Sequence, residues 1–136
     1  MPVTDNYVVE FLLDATRHST NPLRWREANS GGYWARMHGI RVRLLSYSTT
    51  AGAFFALTLS HAGRRSRIEE PRSTGFFGRK YATGEAKQLA DLMRALAVEV
   101  RRQCTSRRIL AEQDRAVTHE ALVKRLLFGV PAKAPA

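Results

Sequence analysis

From Leu44 to Gly63 the chain reads LLSYSTTAGAFFALTLSHAG, without one formally charged residue. Arg41 and Arg43 stand before this run, and Arg64, Arg65 and Arg67 after it. In a chain where 25% of residues are charged, such a run has to be buried, in a bilayer or in a core. Its length nearly suits a membrane-spanning helix. Its composition does not: Ser46, Tyr47, Ser48, Thr49, Thr50, Thr58, Ser60 and His61 would each need a hydrogen-bond partner in lipid, and Gly52 sits near the middle. A sheet accounts for more of the pattern. Ile40, Val42 and Leu44 alternate with Arg41 and Arg43, and Phe55, Leu57 and Leu59 alternate with Phe54, Ala56, Thr58 and Ser60. That period of two marks half-buried strands. The Ser48-Thr49-Thr50-Ala51-Gly52 segment between them is turn-like. The run is therefore expected to be the central hairpin of an antiparallel sheet, with no membrane span.

The flanking patterns extend this outline. Residues 4–17 are expected to form a helix capped by Thr4 or Asp5, with Val8, Phe11, Leu12 and Ala15 on its apolar face. Leu23 to Glu27 alternates and predicts a first strand, Ser30-Gly31-Gly32 a turn, and Tyr33 to His38 a second strand ending at Gly39. After Ala62-Gly63, Arg64 to Glu70 predicts an edge strand stopped by Pro71. Residues 85–104 carry an apolar stripe of Leu89, Leu92, Met93, Leu96 and Val100, with Thr83 placed to cap the helix. A second, weaker helical region is expected from Arg107 to Phe128, interrupted near Thr118. The fold class is α+β: an N-terminal helix, a four- to five-stranded antiparallel meander, a long helix on the sheet and a C-terminal helical extension. The expected division is a single domain over 1–105, an extension over 106–128 and a disordered tail over 129–136.

Charge changes this picture more than composition does. The chain has 136 residues, an ordinary 44% of them apolar, yet carries a formal net charge of +10. Of its 22 basic residues only Lys80, Lys87, Lys124 and Lys133 are lysines. Arginine binds phosphate in a bidentate fashion and stacks on aromatic rings, which suits nucleic acid. A codon bias toward Arg and Ala explains the same excess, but the size of the charge attracts polyanions in either case. A single cysteine, Cys104, excludes an internal disulfide framework and fits a reducing cytoplasm. The acids Asp5 and Glu10 replace the basic start of a secretory signal.

Two surfaces are candidates for contact with nucleic acid. One is the sheet face opposite the core, which on this pattern carries Arg24, Arg26, Arg41 and Arg43, with Trp34, Arg36 and His38 joining according to register. Such a face holds single strands by pairing phosphates and stacking bases. The alternative is a solvated surface whose arginines stack on Trp34 or Tyr47 and pair with Glu27, Glu69 and Glu70. The other is the edge strand with the segment 71–84, where Arg64, Arg65, Arg67, Arg72, Arg79 and Lys80 interleave with Phe76, Phe77 and Tyr81. Those aromatics serve alternatively as a lid over the core edge or as a docking site. In the final segment, Leu122, Leu126, Leu127 and Phe128 are expected to pack on the domain or to bind a partner or a second copy.

Gly78-Arg79-Lys80 through Lys87 is loosely similar to the Lys-rich motif that opens the last helix of the double-stranded RNA-binding domain. The charges here mostly precede the helix and extra strands are present, so no membership is assigned. Enzyme chemistry has little to stand on. His18, His38, His61 and His119 are scattered, without metal-ligand spacing to Cys104 or to each other. Glu69-Glu70 offers carboxylates, and Glu85-Ala86-Lys87 mimics part of a nuclease motif at a helix start, where a strand is required. No Gly-rich phosphate loop precedes a helix. No metal or cofactor is expected. The sequence points to a small basic binding protein, with nucleic acid as first ligand and a protein partner or homo-oligomer as the alternative.

Overall fold

The computed structural model describes residues 3–50, 52–73 and 81–129. It contains helix α1 (Asp5–Thr16), strands β1 (Arg26–Glu27), β2 (Tyr33–Met37), β3 (Ile40–Thr49), β4 (Gly52–His61) and β5 (Arg64–Glu69), and helix α2 (Gly84–Phe128). The strands form one antiparallel sheet in sequence order. This is the α+β meander that the alternation predicts. By contacts the chain divides into two units, Met1–Cys104 and Thr105–Ala136.

One sheet face carries the core. In register, Tyr33, Leu44, Leu57 and Ile68 form one row across four strands, and Ala35, Val42, Leu59 and Ser66 the next. Val9, Leu12 and Leu13 of α1 and Leu89, Met93, Leu96, Ala97, Val100 and Cys104 of α2 join them in a single apolar cluster. Each large side chain buried there contributes about 1.5–3 kcal/mol. Both helices start where side-chain caps satisfy their free N–H groups. The Tyr7 N–H donates to Thr4 Oγ1 at 3.2 Å, and the Ala86 N–H donates to Thr83 Oγ1 at 3.0 Å.

Four expectations are corrected. The buried face of α1 is Val9, Leu12, Leu13 and Thr16, and Phe11 is 46% exposed. Both sets have helical spacing, and the choice is made by Trp25. Its indole N–H donates to Thr16 Oγ1 at 3.0 Å, which turns the Thr16 side inward. The first strand shrinks to Arg26–Glu27, because Leu23 to Trp25 is held by a helix side chain in place of a neighbouring strand. Ile40 shares the inward parity of Val42 but is 37% exposed at the strand end. Thr118 does not interrupt a helix, since α2 runs unbroken from Gly84 to Phe128.

The end of β5 is fixed by Glu70, whose side chain is 2% exposed. Its backbone N–H donates to Phe55 O at 2.9 Å, and its Oε2 accepts the Phe55 N–H at 3.1 Å. Arg94 on α2 donates its Nε–H to Oε1 at 2.6 Å. This hydrogen bond, and then the carboxylate charge, raise the Arg94 pKa above its ordinary value. Glu70 thus faces the helix, whereas the sequence pattern allows it as a partner for the sheet-face arginines.

Candidate nucleic-acid interface

Alternation that sends Val42, Leu44, Leu57 and Ile68 inward sends their neighbours outward. Register then assembles a second surface from distant positions. Arg26, Trp34, Arg43, Thr58 and Arg67 form one row across all five strands. Arg36, Arg41, Ser60 and Arg65 form the next. Tyr47 pairs with Phe54 further along the central hairpin. His38 does not join: it turns the chain between β2 and β3 with φ 52°. Arg24 precedes β1 and is also outside these rows.

The arginines are ordered by the aromatics. The guanidinium of Arg41 lies 4.9 Å from the centroid of Trp34, and that of Arg26 lies 5.8 Å from it. Tyr47 stacks on Phe54 with centroids 5.5 Å apart, Arg67 lies 4.8 Å over Tyr47, and Arg72 lies 4.4 Å over Phe54. Stacking uses the flat face of a guanidinium and leaves its in-plane N–H donors at the rim, directed away from the ring. Arg67 donates its Nε–H to Glu69 Oε1 at 2.9 Å and an Nη1–H to the Tyr47 hydroxyl at 3.5 Å. Among the described residues, Arg26, Arg36, Arg41 and Arg65 have no carboxylate within ion-pair distance. Arg43 donates from Nη2 to Ser30 Oγ at 3.2 Å, and its buried Nε has no partner among the described residues.

Like charges directly opposite in an antiparallel pair destabilise it, and Arg36 stands opposite Arg41. Two basic positions in adjacent strands with no acid between them leave a concentrated positive field on this face.

Of the residues read from sequence as the contact loop and edge, Arg65 and Arg67 lie on this face, and Arg72 reaches it through Phe54. Arg64 has the other parity, opposite His61 at the exposed turn. Tyr81 is half-buried and close enough to Arg94 to help raise its pKa, which places it by α2. Phe76, Phe77, Arg79 and Lys80 lie outside the described residues. The Gly78–Lys80 part of the double-stranded RNA-binding comparison lies there as well, and the sheet has five strands in place of that family's three. Sequence reading missed Phe54 as a member of the face. The signal was its parity with Tyr47 across a tight turn, which only the register makes visible.

A cleft of about 550 Å³ lies where α1 and α2 begin, but Asp5, Glu10 and Glu85 line it and repel phosphate. Among the described residues no three His, Cys, Asp or Glu side chains gather as a metal site. The His18 ring closes a turn by accepting the Asn21 N–H at 3.0 Å. Within the described residues no helix is long and apolar enough to cross a membrane. Leu122, Leu126, Leu127 and Phe128 are 60%, 83%, 66% and 71% exposed. No family model, curated protein or solved structure matches this chain.

Proposed function

We propose that this protein binds single-stranded nucleic acid on the outer face of its sheet. One observation carries the reading: Arg36 faces Arg41 across two strands, beside Arg26 and Trp34, with no carboxylate in ion-pair reach among the described residues. A phosphate placed between these guanidinium groups replaces repulsion with charge-assisted hydrogen bonds. Trp34 and Tyr47, both half-buried, supply ring surface for bases, which only an unpaired strand exposes, with the buried Phe54 backing Tyr47. The formal charge of +10 adds attraction at longer range.

Tryptophan fluorescence tests this directly, because the two tryptophans differ in access. Trp25 is 0% exposed in the core, whereas Trp34 is part of the face. Titration with oligo-dT and oligo-U at low salt is expected to quench emission in the wild type. The quench is expected to disappear in Trp34→Phe, and affinity to fall at least tenfold in Arg36→Gln/Arg41→Gln, a loss of about 1.4 kcal/mol. Absence of binding at low salt, or an unchanged affinity in the double variant, rejects this face as the site.

A further inference from the structure

The apolar stripe that buries α2 in the core ends at Cys104. Beyond it, over 105–128, every residue is exposed except the half-buried Ala121 and Val123. Seven of the twelve exposed large hydrophobic residues of the described chain fall in this segment, which makes it the main uncovered apolar surface. Covering these apolar side chains removes them from water and favours association.

The positions indicate what covers it. With about 3.6 residues per turn, Leu110, Val117, Ala121 and Phe128 fall in one row. Ile109, Ala116, Glu120 and Leu127 fall in a second row about 100° around the helix, with Val123 beyond it and Ser106, Gln113 and Lys124 between the two rows. Each row has the spacing seven, four, seven, which reads the same in both directions. A copy of the helix running antiparallel therefore meets the same pattern. Ile109 comes against the partner's Leu127, Leu110 against the partner's Phe128, and Val117 against the partner's Ala121. The small residues Ala116 and Ala121 lie in the middle, where the axes approach, and the bulky ones at the ends. This self-complementarity is what a two-fold symmetric interface requires.

Charge agrees with a second copy. Residues 105–128 contain Arg107, Arg108, Arg115, Lys124 and Arg125 against Glu112, Asp114 and Glu120, a net charge of only +2. Glu120, the one acid in the two rows, is paired with Lys124 at 3.1 Å. We infer that 105–128 is a self-association helix, pairing antiparallel with a second copy of this chain through Ile109, Leu110, Val117, Leu127 and Phe128. Leu122 and Leu126 project from the opposite side and are not part of this contact.

Light scattering on the full chain at about 100 µM is expected to give twice the 15.3 kDa chain mass, falling toward the monomer on dilution. Leu110→Glu/Phe128→Glu is expected to be monomeric, and Leu122→Glu/Leu126→Glu to remain dimeric. All four positions are exposed, so the core stays folded, as near-ultraviolet circular dichroism will show. Mixing Ile109→Cys with Leu127→Cys under mild oxidation is expected to yield a disulfide-linked heterodimer. Neither variant alone should cross-link, because like residues then stand about 27 Å apart. A monomer at all concentrations overturns the inference. So does a dimer that survives Leu110→Glu/Phe128→Glu, or equal cross-linking of each cysteine variant with itself.

Discussion

Gln103 on α2 holds the extended segment before β1: its Oε1 accepts the Trp25 N–H at 2.6 Å, and its Nε2 donates to Leu23 O at 2.8 Å. One amide side chain thus occupies the place of a neighbouring strand. Cys104 adds its Sγ–H to Trp25 O at 3.5 Å. Replacing Gln103 with Leu removes both bonds to Leu23 and Trp25 and is expected to cost about 2 kcal/mol, the usual penalty for unpaired part-buried polar groups. Urea unfolding measures the loss. Trp25 emission should also shift toward the red in the native baseline as its segment loosens.

The Glu70–Arg94 pair ties β5 to α2, and the two partners are unequal. Glu70 has a 2% exposed side chain, whereas that of Arg94 is 62% exposed. Removing the cation strands a buried carboxylate. Removing the carboxylate leaves an arginine that water can solvate. Arg94→Met is expected to cost about 2 kcal/mol, reduced from the fully buried case by solvent at the guanidinium. With Glu70→Gln the Phe55 N–H still finds an acceptor. A double-mutant cycle by chemical unfolding should give a coupling of about 1–2 kcal/mol. Additive effects reject the pair as a joint.

Two adjacent glycines make opposite demands. Gly32 has φ +77°, and a Cβ there would sit 2.6 Å from Leu44 O and from the Leu45 side chain. Gly31 has φ +93° but faces open space. Gly31→Ala is expected to cost about 1 kcal/mol for the left-handed backbone alone. Gly32→Ala adds a clash with backbone and is expected to cost about 3 kcal/mol. Thermal midpoints of the two variants compare them directly; equal midpoints contradict the close approach to Leu44.

If the sheet face holds a single strand through phosphates, affinity falls with salt at a log–log slope of about 0.7 per neutralised phosphate. Arg36→Gln/Arg41→Gln is then expected to lower the slope by about 1.4. Trp34→Ala is expected to weaken binding by about 1–3 kcal/mol with little change in slope, since stacking releases no counterion. Filter binding across a salt series separates the two effects. Equal slopes in wild type and arginine variant show that phosphates are held elsewhere, with Arg64, Arg72 or the segment that includes Arg79 and Lys80 next in order.

The alternation of Val42, Leu44, Leu57 and Leu59 with polar neighbours determined the meander, because a strand has only two faces and burial selects one. The apolar stripe from Leu89 to Val100 determined the long helix for the same kind of reason. What lay beyond local pattern was set by contacts between distant positions. On α1 two faces had equivalent spacing, and the Trp25 indole chose the Thr16 side. Leu23 to Trp25 alternates like a strand, yet Gln103, far along the chain, supplied its hydrogen bonds. Glu70 follows Glu69 in sequence, but β4 and α2 turned it inward while Glu69 stayed with Arg67. The sheet-face arginines were visible as residues from the start. Their arrangement around Trp34, and the opposition of Arg36 to Arg41, came only from register, which fixes neighbours across strands by hydrogen bonding that no local pattern contains.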